Sequence, residues 1–309
     1  MAGDEPIDPP IDLSPSEAER ILSDWLGREV RCIGLRRLTG GCVRTVLEAT
    51  FDGAESPVVL KLARELGDEG IPHEGRVLGY LRTHTTFPVP EPFHADISGA
   101  VVPYSYLIME RVPGTHLGDA RAGLDPRQRV GIERQMGEAV AALHTHTRSA
   151  FGSAVGEVEY ASWPEHVRES MLDLHRENEI VGLLSPEVMA GIRPIADAVP
   201  SLLEAPGPPT LTHGDIWATN IMVDGGRLTG FLDPGGLFAH REYELAYLEI
   251  WRTAGEPFFE VYHEVHPRLE GYERRRMVYW LNTLLIHVWY FKESHYVRAT
   301  EELVSAFRI

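Results

Sequence analysis

Cysteine is scarce: Cys32 and Cys42 are the only two in 309 residues. That excludes a disulfide framework and fits a reducing cytoplasm. Positive charge is also short. Lys and Arg total 29 against 46 Asp and Glu, a net charge of −17. A surface this acidic repels nucleic acid and anionic lipid, so neither is expected as a partner. It either favours a cationic substrate or serves solubility alone. No apolar run reaches transmembrane length. The opening MAGDEPIDPPID is acidic and Pro-rich, the opposite of a secretory signal. There is no internal repeat and no low-complexity segment. His144, His146, His263 and His266 lack the H-E-x-x-H spacing of a zinc site. The expectation is a cytoplasmic globular protein, ordinary in its 43% hydrophobic and 24% charged residues.

Residues 1–13 read as a mobile tail. Ser14-Pro15-Ser16-Glu17 is a capping box with Pro at the first helical position, and Ile21, Leu22, Trp25 and Leu26 give the helix an apolar face. Thr45 to Phe51 and Pro57 to Leu62 are rich in β-formers and flank an Asp52-Gly53 turn, which predicts a hairpin. A helix over Glu74 to Arg82 and a strand over Tyr104 to Glu110 follow. From about residue 126 helices dominate (126–147, 164–178, 186–199 and most of 241–308), interrupted by short β-like runs within 209–240. The organisation expected is α+β. A small β-rich N-terminal lobe covers 14–110, and a larger, mainly helical lobe covers 111–309.

Phosphoryl transfer asks little covalent chemistry of a protein. It needs phosphates held in line, charge neutralised by metal, and a nucleophile oriented by a base. The run His213-Gly214-Asp215-Ile216-Trp217-Ala218-Thr219-Asn220 supplies a candidate base, Asp215, and an amide five positions later, Asn220. Ile221-Met222-Val223, the turn Asp224-Gly225-Gly226 and Leu228 to Leu232 predict a tight hairpin that returns Asp233 beside Asn220. One amide oxygen and one carboxylate suit Mg²⁺, which takes hard ligands and keeps water. Taken singly, each residue has a plain structural reading; the ordered set points to a kinase. His213 is expected to prop up this loop, not to act as a base.

Lys61 stands on an apolar strand, where a kinase keeps the lysine that contacts nucleotide phosphates. Glu74 is its expected partner, with Glu65 and Glu69 as rivals. Gly40 and Gly41, within Leu38-Thr39-Gly40-Gly41-Cys42-Val43, could let backbone N–H groups approach phosphate oxygens. They do not complete a G-x-G-x-x-G pattern. Glu110 to Val112 leave an apolar strand for an extended connector and could offer backbone groups to adenine. Trp280, Trp289, Tyr290 and Phe291 read as core.

Residues 211–234 resemble the catalytic and metal motifs of the aminoglycoside phosphotransferase superfamily, whose members keep a bilobal, protein-kinase-like fold. His213 to Asn220, Asp233-Pro234, Ala239 to Ala246, Phe258 to His263, and Gly271 to Arg275 through to His287 resemble the fructosamine kinase family within it. The resemblance implies Asp215 as catalytic base, Asn220 and Asp233 as Mg²⁺ ligands, Lys61 at the phosphates of ATP (GTP as an alternative), and Glu110 to Val112 at adenine. The connector Met109 to Gly114 is of the general antibiotic-kinase type, and Ala63 to His73 is this chain's own.

The expected activity is therefore Mg-ATP-dependent phosphorylation of a hydroxyl on a small sugar-bearing molecule, an antibiotic or a metabolite. The alternative is a ketoamine kinase that repairs glycated amines. Either acceptor carries hydroxyls near a positive charge, and Glu242, Glu244, Glu249, Glu256 and Glu260 are candidates to meet that charge. A nucleotide-binding pseudokinase scaffold would lack a key residue, yet Asp215, Asn220, Asp233 and Lys61 are all present.

Overall fold

A computed structural model describes residues 9–38, 44–156, 158–204 and 207–307. Gly40, Gly41 and Cys42 lie outside the described residues. In chain order the elements begin α1 (Pro15–Leu26), β1 (Cys32–Arg37), β2 (Thr45–Phe51), β3 (Val58–Ala63), α2 (Gly70–His84), β4 (Pro92–Asp96), β5 (Ser105–Glu110), β6 (Thr115–His116), α3 (Leu117–Ala120) and α4 (Pro126–Leu143). They continue with β7 (Phe151–Ser153), β8 (Glu159–Tyr160), α5 (Trp163–Val181), α6 (Pro186–Leu202), β9 (Thr210–Thr212), β10 (Ile221–Asp224), β11 (Arg227–Phe231) and β12 (Leu237–Ala239). The last four helices are α7 (Arg241–Ile250), α8 (Glu256–Val265), α9 (Tyr272–Phe291) and α10 (Ser294–Ala306).

The chain divides into two compact units, residues 1–135 with 218–235, and residues 136–217 with 236–309. The boundary expected at residue 110 differs from this division. The β10–β11 hairpin joins the first unit because β10 pairs with β6, Met222 opposite His116.

In the first unit an antiparallel sheet runs in the order β1-β2-β3-β5-β4. Alternation sorts its central strand: Leu60 and Leu62 pack in a core with Ile21 and Leu22 of α1, while Lys61 points to the opposite face. α1 starts as expected, with Ser14 Oγ accepting from the Glu17 N–H at 3.3 Å and Glu17 returning a bond to the Ser14 N–H at 2.8 Å. Ile11 and Leu13, part of the stretch expected as a mobile tail, are each 5% exposed and join this core. The Ile11 N–H also donates to Thr45 Oγ1 at 2.8 Å. Two apolar side chains spaced along an extended segment are enough to tie it down.

The second unit is built on α5, α6 and α9. Trp163, Met171, Ile192, Leu281 and Leu285 are among the buried residues of its core. A small sheet in the order β8-β7-β12-β9 brackets residues 213–236 in sequence. α5 and α6 begin with Ser162 and Ser185 as side-chain caps, each followed by Pro in the first turn.

Candidate active site

In the first unit, Lys61 is the centre of a charge cluster. Its ammonium lies 2.9 Å from Glu74 of α2 and 2.9 Å from Asp233 Oδ1. α2 comes close to the sheet at Gly75: a Cβ there would stand 3.2 Å from Leu107, the residue that pairs with Lys61. Among Glu65, Glu69 and Glu74, the last is the one held against Lys61; Glu65 and Glu69 are exposed. Burial alone would depress the Lys61 pKa, but the Asp233 and Glu74 charges outweigh it and hold the lysine above its ordinary value. Arg44 reaches the same carboxylate, 3.3 Å from Glu74 and 2.9 Å from Asp68.

The hairpin forms as the sequence predicts. Ile221 pairs with Phe231, and the Leu232 N–H donates to the Asn220 carbonyl at 2.8 Å. That bond brings the chain at Asp233 back beside Asn220. Asn220 is 6% exposed, whereas the Asp233 side chain is 42% exposed. Asp233 has φ of 58°, a left-handed conformation that Asp adopts more readily than most residues. Strained backbone of this kind is often retained at functional positions.

The connector is pinned on both sides. The Glu110 N–H donates to the Glu91 carbonyl at 2.8 Å, and its carboxylate accepts from the Glu91 N–H at 3.0 Å. Val112 is buried. Arg111 donates to the Val112 carbonyl and lies 3.0 Å from Glu48. Nearby in the same unit, Phe87 stacks on Phe231 with centroids 4.4 Å apart, and Pro88 accepts from the Phe231 N–H.

The second unit holds Asp215. It follows Gly214, whose φ of 89° suits a residue without Cβ. The loop hangs from α7. Glu244 accepts from the Gly214 N–H at 2.6 Å and the His213 N–H at 3.2 Å, and it bonds His144 Nε2 at 2.9 Å. His144 Nδ1 in turn meets the Tyr262 hydroxyl at 2.7 Å. Burial would raise the Glu244 pKa, but the His144 hydrogen bond and charge and the loop N–H bonds hold it below the ordinary carboxylate value. The Asp215 N–H donates to His213 Nδ1 at 3.2 Å, the propping role expected of His213. Tyr247, one turn beyond Glu244, donates its hydroxyl to Asp215 Oδ1 at 2.5 Å.

Glu242 and Glu244, named as candidates to meet a substrate's charge, are both buried. Glu242 is clamped by Arg275 through bonds of 2.5 and 2.7 Å. Glu249 pairs with Arg276 at 2.9 Å, while Glu256 and Glu260 lie on the exposed side of α8. Glu242 and Glu244 are therefore internal braces on opposite sides of α7, a helix packed on more than one face, and Glu249 is partly buried and engaged by Arg276. Sequence reasoning did not pick out the Glu244–His144 brace or Tyr247. The three-residue spacing of Glu244 and Tyr247 on one helix was the available signal. A further signal for Lys61 was composition: two of the chain's 29 basic residues are lysine, and one is the buried residue at this cluster.

A model of the fructosamine kinase family matches residues 15–308. A Synechocystis protein named a probable ketoamine kinase is 28% identical over 93% of this chain and 95% of its own length. The chloroplastic protein-ribulosamine 3-kinase of Arabidopsis thaliana is 25% identical over 87% of this chain and 82% of its own. Among solved structures, the aminoglycoside phosphotransferase APH(4)-Ia in a complex with ADP and hygromycin B has a TM-score of 0.66 at 20% identity, covering 94% of this chain and 100% of that one. At that identity the likeness is one of fold, and it agrees with the kinase-like architecture expected from sequence.

Proposed function

Because the chain belongs to the fructosamine kinase family, we propose that it transfers the γ-phosphoryl group of ATP to a hydroxyl of a ketoamine, a sugar joined to an amine. The observation that carries this reading is the Lys61–Glu74–Asp233 cluster: a buried ammonium shared by two carboxylates, one of them on the strand end that hydrogen bonding returns to Asn220. Such an ammonium is poised to turn from Asp233 to phosphate oxygens while Glu74 keeps its stem in place.

Asn220 and Asp233 offer one amide oxygen and one carboxylate, a donor set that fits Mg²⁺. Bound there, the metal would neutralise charge on the transferring phosphoryl group. Asp215 would take the proton of the acceptor hydroxyl, with its loop held by Glu244. The backbone of Glu110 to Val112 would receive the adenine ring. Gly40 and Gly41 retain their proposed place at the phosphates on sequence grounds alone. The acidic composition suits an acceptor with a positive charge near its hydroxyls, and action in the cytoplasm belongs to the same reading. Among the described residues no helix is long and apolar enough to cross a membrane.

The test is a coupled ADP-release screen over fructosyl- and ribosyl-amines, with aminoglycosides and other sugar-bearing antibiotics in parallel. Mass spectrometry would locate the added phosphate. Turnover confined to ketoamines supports the proposal. Turnover confined to antibiotics transfers it to the other acceptor class, and no turnover with any hydroxyl acceptor removes it.

A further inference from the structure

Asp215 is approached by a group that no motif of the sequence announced. Tyr247 lies on α7 three residues after Glu244, so the two side chains share one face of the helix. Glu244 holds the backbone of the loop at His213 and Gly214. Tyr247 holds the side chain of the next residue, Asp215, through a 2.5 Å bond to Oδ1. The distance is at the short end for an O–H donor on a carboxylate, the class of hydrogen bond that is strongest and most directional. The ring is fixed in turn. Trp251 meets it edge-to-face, with centroids 6.0 Å apart and planes at 74°.

The direction of the bond follows from the surroundings. Burial, then the Asp215 charge, push the Tyr247 phenol well above its ordinary pKa, so it remains protonated and donates. Tyr243, one turn earlier on α7, is pushed up to about 12, chiefly by burial and then by the same carboxylate. Neither phenol competes with Asp215 for a proton at neutral pH.

We infer that Tyr247 is a positioning residue for the proposed reaction: its hydroxyl locks the Asp215 carboxylate in one orientation. The inference rests on the reading of Asp215 as the base. A free carboxylate rotates about two bonds; one anchored at Oδ1 has its second oxygen's direction set. An acceptor hydroxyl then meets a fixed proton acceptor, which lowers the ordering required at the moment of transfer.

Two measurements test this, one independent of turnover. In proton NMR of the full-length protein, a short O–H···O bond to a carboxylate gives a resonance downfield of the backbone amides. It is expected in the wild type and lost in both Tyr247→Phe and Asp215→Ala. Absence from the wild type overturns the inference. In kinetics, Tyr247→Phe keeps the ring against Trp251 and removes only the hydroxyl. It should lower kcat roughly 10- to 100-fold, the scale of a hydrogen bond to a charged group, while KM for ATP stays within about twofold. The double variant Asp215→Asn/Tyr247→Phe should be no slower than Asp215→Asn alone, since residues acting as one unit are non-additive. An unchanged kcat in Tyr247→Phe, or a fully additive double variant, overturns the inference. Failure of the proposed reaction itself looks different: no acceptor is phosphorylated by the wild type, and the resonance still reports on the contact.

Discussion

Each compact unit contains a buried carboxylate engaged by nitrogen donors, and the two clusters are finished differently. In the first unit, Lys61 sits between Glu74 and Asp233, and the Asp233 side chain is 42% exposed. In the second, Glu244 and His144 have fully buried side chains, and the carboxylate accepts two loop N–H groups as well as the imidazole. The second cluster is closed, with donors and acceptors matched inside the protein. The first is open on one side, so a ligand can reach it. Burying charge is expensive, and a closed set recovers the cost through its own hydrogen bonds. An open set holds charge ready for something outside the chain, which is the physical ground for assigning function to the first and support to the second.

Substitutions separate the roles of the two clusters. The largest effects are expected where chemistry is proposed. Asp215→Ala should reduce turnover by roughly 10²- to 10⁴-fold, the usual scale for a lost general base, with ATP binding preserved in calorimetry. Near wild-type turnover would remove Asp215 from that role. Asp233→Ala should abolish Mg²⁺-dependent activity and lower the urea midpoint by less than Glu244→Ala does, because Glu74 still holds the Lys61 ammonium. Glu244→Ala is expected to lose stability as well as turnover, since the same carboxylate holds the Asp215 loop. It strands a buried imidazole and two backbone donors, so unfolding free energy should fall by about 3–5 kcal/mol. If Glu244→Ala melts like the wild type, the closed cluster is not a brace.

How much of this was legible beforehand depended on the range of the interaction. The capping box at Ser14 to Glu17 and the hairpin over 221–231 are local, and their residue types specify them directly. Asn220 and Asp233 meet through that hairpin, so their association was readable from spacing. Lys61 with Glu74 was readable as a pair but not as unique, since Glu65 and Glu69 stood nearer in sequence. Both precede α2, and it is the packing of α2 on the sheet that brings Glu74 to Lys61. Glu244 with His144 spans 100 residues, and nothing local distinguishes a buried helical Glu from a solvated one. The same blindness affected Glu242, held by Arg275 across 33 residues. It also affected Ile11 and Leu13, whose Pro-rich surroundings suggest a tail although their side chains fill a core.

The closed character of the second unit also has a pH signature. His240 precedes α7 and bonds the Tyr279 hydroxyl through Nδ1 at 3.1 Å. Burial, and then the Arg275 charge, push its pKa down to about 4 from 6.5. The folded state binds this proton less readily than the unfolded chain. Its contribution is therefore complete above pH 6.5 and is lost as pH falls towards 4, about 3 kcal/mol over that window. Glu244, also lowered, loses its contribution only below 4.5, as pH passes through its folded value. His240→Asn, which keeps an acceptor near Nδ1, should flatten urea stability between pH 6.5 and 4 and leave the fall below 4.5 in place. An unaltered slope across the upper window would assign it to other groups.

The smallest effect is expected at Arg44, and it gives the most discriminating measure of openness. Its guanidinium lies near Asp68 and Glu74 with its side chain 21% exposed, so water screens both pairs. Arg44→Ala should cost about 0.5–1 kcal/mol, the range of partly exposed ion pairs, because Lys61 still neutralises Glu74 when Arg44 is gone. The loss should shrink further in molar salt, whereas the Glu244→Ala loss should not. Urea titrations of the two variants at low and high salt make the comparison directly. If Arg44→Ala proved as costly as Glu244→Ala and equally indifferent to salt, the cluster around Lys61 would be as closed as the one around Glu244. Lys61 and its partners would then be a second brace and not a ligand site.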